Sequence, residues 1–480
     1  MNTRALLRLL GKILSLLALA ELLPVLCCLW YGETRDAVSF LAAAALTLAV
    51  GFGLTRIRVP DERLYRREGI LIVVAGWLLA SCFGALPYLF SGAAASPLDA
   101  VFESASGFTT TGASIFTDIE SKGRGILFWR SLTQWLGGLG IIVIFVALLS
   151  ELGPGTRFLY RVEVPGPTKE ILHPRVHATA LVLLEIYLAL SVACLMLLLL
   201  FGMNLYDALT HTFSTLSTGG FSPRNASVAA FPSPAIQIVL IVFMVLAGVN
   251  FSLFYMATRG KWRLWRDREL GVYLWLLAGA SLVVAVDLVA RREAGVARAL
   301  LDAVFQVVSV MTTTGFASAD FDTWPDAARG TLLFVMIIGG SAGSTAGGVK
   351  VMRGLIALKT AVREVRLTFS PSAVIPVTIK GTPVPEEVTR SVGGFIILYA
   401  FTLVAGATLL TLGGTDLLSA SSAALACLGN IGPGLAKVGP TANYAFFGDW
   451  EKLVLVLLMW LGRLEMMAIV AVATRSFWRR

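Results

Sequence analysis

Four short stretches of the chain end in glycine turns whose backbone could bind a cation. They read TTTGA (109 to 113), TGGFS (218 to 222), TTTGF (312 to 316) and GNIGPG (429 to 434). Successive backbone carbonyls that face one axis can replace the hydration shell of a potassium ion, and glycine permits the backbone conformations that this requires. We predict a potassium filter at these residues: Thr110, Thr111, Gly112, Thr218, Gly219, Gly220, Thr313, Thr314, Gly315, Asn430, Ile431 and Gly432.

The four glycine turns share one spacing. Asp99, Asp207 and Asp302 each lie 13 residues before the glycine of their turn, and Ser419 lies 13 residues before Gly432. We expect these four residues to cap short helices, which at about 11 residues must re-enter the membrane rather than cross it. A single such turn is most often a plain helix C-cap. Four at matched spacing predict a fourfold pseudo-symmetric arrangement.

Composition places these turns in a membrane protein. Of the 480 residues 56% are apolar and 14% are charged, which is too apolar for a soluble domain and enough for about ten spans. The net charge of +9 falls in clusters between apolar segments, a pattern of membrane topology rather than nucleic-acid binding. The five cysteines lack metal-ligand spacing, so we expect no cofactor in this chain.

The apolar segments predict an all-α polytopic protein with four units of span, re-entrant helix and span around one pore, preceded by two extra spans. The predicted divisions are 1–68 for the two N-terminal spans and a cytoplasmic loop, 69–175 for unit 1, 176–269 for unit 2, 270–388 for unit 3 and 389–480 for unit 4.

Charge sets the predicted orientation. Lysine and arginine cluster in the connections 56–68, 151–175 and 258–269, whereas 92–98 and 201–206 on the opposite side contain neither residue. Cytoplasmic loops of membrane proteins carry the positive excess. We therefore expect both termini in the cytoplasm and the glycine turns approached from outside.

A glycine-rich interruption, which we name the gate loop (339–350, GGSAGSTAGGVK), breaks the second span of unit 3. Broken helices at membrane depth belong beside cavities. Alignment of WLGGLG (135–140) with WLGRLE (460–465) puts Arg463 where unit 1 has a glycine, and an intramembrane arginine is a functional candidate. We predict a gate at Gly339, Gly340, Ser341, Gly343, Ser344, Thr345, Gly347, Gly348, Lys350 and Arg463, with a local pairing of Arg463 to Glu465 as the simpler alternative.

Taken together, the four turns, the gate loop and the GRLE of the last span resemble the TrkH-type membrane subunits of bacterial potassium uptake systems, in the Trk/Ktr/HKT superfamily. That resemblance implies potassium uptake across the inner membrane and a homodimer, with contact between Arg463 and the gate loop. It also implies a cytosolic TrkA-like RCK ring that binds nucleotide and controls opening. The chain itself has no GxGxxG motif followed by a soluble βαβ unit, so nucleotide is expected on the partner alone.

The main alternative is a coupled secondary transporter for a small polar solute. It would predict inverted repeats and acidic side chains at the membrane midplane. The repeats read as parallel, and Glu185 and Glu465 are the deep acidic candidates. A membrane enzyme is not supported, because no catalytic constellation of His, Asp, Glu or Ser stands out.

Overall fold

The computed structural model describes residues 1–59, 66–140, 176–258, 260, 267–291, 295–379, 381–464 and 466–478. The connection 151–175, most of 258–269 and Glu465 lie outside the described residues, so the predictions made for them stay predictions. Within the described ranges the regular secondary structure is helical, apart from one antiparallel pair of two-residue strands, Thr378–Ile379 and Thr382–Pro383. This confirms the all-α fold class.

The helices follow the predicted order of spans and re-entrant segments. The N-terminal region and unit 1 contain Thr3–Glu21, Leu23–Tyr31, Thr34–Thr55, Arg66–Phe83, Leu86–Ser91, Pro97–Phe108 and Arg124–Leu139. Unit 2 contains Val176–Leu200, Leu205–Leu216, Pro234–Ala247 and Phe251–Thr258. Unit 3 contains Arg268–Ala290, Val296–Met311, Asp326–Ile338 and Val351–Phe369. Unit 4 contains Glu386–Leu412, Leu417–Leu428, Asp449–Arg463, Met466–Ala473 and Arg475–Trp478, and short 3₁₀ turns lie at Ser227–Ala230, Phe321–Thr323 and Ala436–Val438.

Long apolar helices identify the chain as a membrane protein. Among the described residues, six helices are long and apolar enough to cross a bilayer, and two further pairs of helices bend at a short break. One of these pairs, Pro234–Ala247 and Phe251–Thr258, turns by 90° at 248–250. This break coincides with the AGVN sequence, where polar and glycine residues interrupt the second span of unit 2.

The four re-entrant helices, numbered 1 to 4 after their units, are Pro97–Phe108, Leu205–Leu216, Val296–Met311 and Leu417–Leu428. The prediction that Asp99, Asp207, Asp302 and Ser419 cap them is wrong. Helices 1, 2 and 4 begin one turn earlier, because side chains three residues upstream accept the capping hydrogen bond from the backbone amides of Asp99, Asp207 and Ser419. The caps are Ser96, Asn204 and Asp416. Helix 3 begins at Val296 without a side-chain cap, so Asp302 lies within it.

The core consists chiefly of two large apolar clusters. One joins units 2 and 3 and includes Tyr187, Phe251, Tyr273 and Phe305. The other joins the N-terminal spans to units 1 and 4, and Trp129 is among its fully buried members. The second cluster therefore brings the last unit against the first, as a closed arrangement of four units requires.

Candidate functional site: the four glycine turns and the gate loop

All four glycine turns adopt the same unusual backbone. The residue two positions before the glycine of each turn is left-handed: φ is +54° at Thr110, +55° at Thr218, +57° at Thr313 and +52° at Asn430. The glycine two residues later is also at positive φ, from +76° at Gly220 to +95° at Gly432. Threonine is uncommon in this conformation, and strained backbones concentrate at ligand sites. Because this conformation recurs in all four turns, it is a common property of the turns rather than an isolated irregularity.

Main-chain hydrogen bonds anchor each turn to the end of its own re-entrant helix. In turn 1 the Thr110 amide donates to Gly107 O at 2.9 Å and the Thr111 amide to Ser106 O at 2.9 Å. The equivalent pairs of amides in the other three turns make the equivalent bonds, at 2.8 to 3.2 Å. In a trans peptide the carbonyl points opposite to the amide. The carbonyls of Thr110, Thr218, Thr313 and Asn430 consequently point away from their helices.

The turns contact one another in a closed order. A Cβ placed on Gly112 would overlap the Gly219 carbonyl oxygen, one on Gly220 the Thr314 oxygen, and one on Gly315 the Ile431 oxygen. A Cβ on Gly432 would lie 2.7 Å from the Thr111 oxygen, which returns the order from turn 4 to turn 1. Each glycine is thus required twice, by its positive φ and by the close approach of the next turn.

A cavity of about 140 Å³ opens on one side of this ring. The glycines of all four turns line it, together with Arg130, Arg224 and the Tyr444 ring. Tyr444 also donates its hydroxyl to Gly432 O at 2.6 Å, which braces turn 4. One space therefore reaches all four turns.

Loops beyond the cavity tie units 1 and 2 together. Asn225 donates to the Asp118 carboxylate at 2.8 Å and accepts from the Ile119 amide at 2.7 Å. The hydrogen bond from Asn225 holds the pKa of Asp118 below its ordinary value. Asp118 therefore stays ionised at neutral pH.

The three aspartates at matched spacing are all ion-paired. Asp99 pairs with Lys452 at 2.6 Å, Asp207 with Arg224 at 2.7 Å and Asp302 with Arg298 at 2.7 Å. The first pair joins helix 1 to the second span of unit 4. Asp99 and Asp207 therefore join their helices to other elements rather than acting as caps, whereas the Asp302 pair lies within helix 3.

The gate loop lies directly against the glycine turns. The Gly347 amide donates to the Thr313 hydroxyl at 2.7 Å, and a Cβ on Gly347 would overlap Gly429 O beside turn 4. The Thr345 hydroxyl donates to Leu216 O, at the end of helix 2, at 3.1 Å. A single loop thus contacts three of the four units at the ends of their re-entrant helices.

The remaining gate-loop residues fold the loop on itself and against unit 2. Ser341 N donates to Gly248 O at 3.0 Å, and Gly343 O accepts from Phe251 N at 3.1 Å, so the loop bonds to both sides of the AGVN break. Ser344 donates its hydroxyl to Ser341 O at 2.6 Å. Positive φ occurs at Gly339, Gly343, Gly348 and Lys350, and Gly340 packs against Ala346. Lys350 donates its ammonium group to Ala346 O within the loop.

Arg463 makes the contact that the sequence predicts. It is buried, and its Nη1 donates to Thr345 O at 2.6 Å while Nη2 donates to Gly137 O in unit 1 at 3.0 Å. A guanidinium is well suited to hold two carbonyls at once. Whether this contact controls opening stays a prediction, and the alternative partner Glu465 lies outside the described residues.

Sequence reasoning missed two polar contacts of the site. Glu269, in the first turn of Arg268–Ala290, is buried and accepts from the Ala342 amide of the gate loop at 2.6 Å. Gln134, in the second span of unit 1, donates to Gly219 O at 2.6 Å and accepts from Phe221 N at 3.0 Å. Glu269 could not be recognised from the sequence, because it follows a basic connection and resembles any other charged loop residue. Gln134 could have been recognised, because it is a polar residue within an apolar span.

Four units of span, re-entrant helix and span, closed around a ring of glycine turns, define a polytopic pore-loop membrane protein. The chain belongs to the TrkH family, whose model, described as a cation transport protein, matches residues 38–479.

Relatives of known name match over the full length. The chain is 40% identical to the Trk system potassium uptake protein TrkH of Halomonas elongata, with 100% of both chains covered. It is 37% identical to TrkH of Escherichia coli K12 over 100% of both chains, and 33% identical to TrkG of that organism over 98% and 97%. The crystal structure of the potassium transporter TrkH from Vibrio parahaemolyticus superimposes with a TM-score of 0.91, at 35% identity and 100% coverage of both chains.

Proposed function

We propose that this protein conducts potassium into bacterial cells across the inner membrane, through the ring formed by the four glycine turns. The observation that carries the proposal is the closed order of contacts from turn 1 to turn 4 and back, with a carbonyl of each turn aimed away from its helix. Carbonyl oxygens held in this way replace the water around a potassium ion. Full-length similarity to named potassium uptake proteins supports the choice of ion.

Helix polarity favours a cation at the ring. The C-terminal ends of all four re-entrant helices lie beside the turns, and these ends carry a partial negative charge. The hydroxyl-rich sequences of turns 1 and 3 add polar surface without a formal charge. The ring is consequently neutral in formal charge yet attractive to cations, which suits conduction better than tight binding.

The gate loop and Arg463 form the proposed gate. The loop lies at the inner ends of three re-entrant helices, and Arg463 ties it to unit 1 through Gly137 O. Release of these contacts would free the space beneath the ring. In this proposal a cytosolic TrkA-like RCK ring senses nucleotide and drives the release, and both termini lie in the cytoplasm.

Closure of the ring within one chain supports one conduction path per subunit. A homodimer would then carry two paths. Of the two deep acidic candidates for a coupled transporter, Glu185 is exposed on its helix and Glu465 lies outside the described residues.

The experiment is potassium uptake in a potassium-transport-deficient bacterial strain that expresses this chain with its cytosolic partner. Gly315→Ser places a side chain at positive φ and against Ile431 O, so we expect loss of growth on low potassium or growth that becomes sensitive to sodium. Gly330→Ala is the matched control, because a Cβ there meets nothing within 4 Å. Wild-type protein that reaches the membrane and takes up neither potassium nor rubidium would refute the proposal.

A further inference from the structure

Turn 2 differs from the other three turns at its middle residue. Gly219 stands where turns 1, 3 and 4 have Thr111, Thr314 and Ile431. The backbone does not demand this glycine, because φ at Gly219 is not positive, unlike φ at Gly220. Something other than conformation must therefore exclude a side chain here.

Gln134 is what excludes it. A Cβ on Gly219 would lie 2.6 Å from Gln134 Oε1 and 2.8 Å from Nε2. Gln134 is fully buried and reaches turn 2 from the neighbouring unit. Its Nε2 donates to Gly219 O at 2.6 Å and its Oε1 accepts from Phe221 N at 3.0 Å, so the amide spans the turn from both sides of Gly220.

The equivalent positions of other second spans hold methionine. Gly138 packs on Ser217 and Gly248 on Thr312, each three residues before the next turn's glycine, which aligns the second spans of units 1 and 2. This alignment matches Gln134 with Met244, and the WLGGLG and WLGRLE alignment matches it with Met459. Both methionines are fully buried. Among the second spans of units 1, 2 and 4, a polar amide therefore replaces an apolar side chain of similar size in the one beside the turn that has Gly219.

We propose that Gln134 is a positioning residue of the ion filter, whose amide holds the Gly219 and Phe221 peptides in place and thereby sets discrimination between potassium and sodium. This inference rests on the proposed function. A carbonyl ring discriminates between ions through the number, placement and field strength of its oxygens. Because Gln134 donates to Gly219 O, it fixes the position of that oxygen and occupies one of its two lone pairs.

The test is rubidium uptake, with competing sodium, into vesicles that contain the purified full-length chain. Gln134→Met gives unit 1 the residue of units 2 and 4 and removes both hydrogen bonds with little change in volume. We expect uptake to persist and rubidium-over-sodium discrimination to fall by about tenfold, a change that corresponds to about 1.4 kcal/mol.

A paired variant keeps the inference testable if Gln134→Met fails to reach the membrane. Gly219→Ala alone should lose most uptake, because its Cβ collides with the Gln134 amide. The double variant Gln134→Ala with Gly219→Ala removes that collision and should regain uptake with poor discrimination. Absence of any recovery would overturn the pairing.

Met244→Leu is the matched control, a buried change at the aligned position without a hydrogen bond to lose. It should leave discrimination unchanged. If wild type takes up rubidium and Gln134→Met discriminates as well as wild type, the role of Gln134 is refuted and the proposed function stands. If wild type takes up no rubidium, the proposed function itself falls.

Discussion

The glycine turns and the gate loop lie next to each other but are held in place by different kinds of contact. The turn occurs four times, and each copy is anchored by short main-chain hydrogen bonds to its own re-entrant helix. The position of each turn therefore depends on local structure. The gate loop occurs once and is held largely by side chains that are distant from it in sequence, among them Arg463, Glu269 and Thr313. Local anchoring suits a site that must keep one geometry, whereas a few distant polar contacts suit an element that must be released.

The largest expected effect comes from breaking a repeated turn. Gly112→Ala introduces a Cβ at φ +81° that overlaps Gly219 O. Such backbone strain costs about 1–3 kcal/mol before the overlap is counted. We expect potassium uptake to fall more than tenfold, measured as rubidium uptake in cells, while Gly354→Ala, with open space around its Cβ, should match wild type. Normal uptake by Gly112→Ala would show that the ring tolerates side chains.

Removing the contacts of Arg463 with the gate loop and unit 1 should increase uptake rather than reduce it. Arg463→Met leaves Thr345 O and Gly137 O without their charged donor. Hydrogen bonds to charged groups contribute about 1.5–3 kcal/mol, so uptake without the cytosolic partner should rise by about tenfold or more. The measurement is rubidium influx into vesicles that contain this chain alone. Unchanged influx at equal protein content would count against a gating role for Arg463.

A smaller increase should follow from loosening the other side of the loop. Glu269→Ala removes the acceptor of the Ala342 amide, whereas Glu269→Gln keeps an oxygen that can accept it. We therefore expect partner-independent influx in the order alanine variant, glutamine variant, wild type, with rubidium-over-sodium discrimination unaltered in all three. A change in discrimination would place Glu269 with the ring rather than with the loop.

The smallest effect concerns the re-entrant helices that lead into the turns. Ser96→Ala removes the side-chain cap of helix 1, and Asn204→Ala does the same for helix 2. Loss of a cap costs about 1 kcal/mol of stability. Each variant should unfold at a slightly lower temperature in detergent, with discrimination intact. A large loss of discrimination from either change would show that the turns depend on more than their local anchors.

The difference between the glycine turns and the gate loop was largely predictable from sequence, because the turn sequences recur at one spacing and the gate loop occurs once. The presence of a short re-entrant helix before each turn, such as Pro97–Phe108 and Leu205–Leu216, was predictable from the matched spacing, although the start of each helix was not. The gate loop was predictable because a helix cannot continue through Gly339 to Gly348. The family and fold class that these patterns predicted are confirmed.

The unpredicted parts are of two kinds: local choices between similar residues near the helix starts, and contacts between residues far apart in sequence. The caps were misassigned because Asp99 and Asp207 occupy the third helical position, where acidic residues are also common. Helix 3 extends beyond its predicted start, and Arg298 in the added turn pairs with Asp302 one turn later. Gln134 and Glu269 act on residues 85 and 73 positions away, and no local pattern reports such distances. The roles predicted for the turn and gate residues stay predictions until the variants are measured.

The closure of the ring within a single polypeptide has a consequence for its evolution. In a channel assembled from four identical subunits, any inherited change appears in every quadrant at once. Here a codon for Gly219, or for Asn430 in turn 4, alters one quadrant and leaves the other three as they were. Ion preference can therefore change one turn at a time. A substitution that would not be tolerated in all four turns together can persist in a single turn.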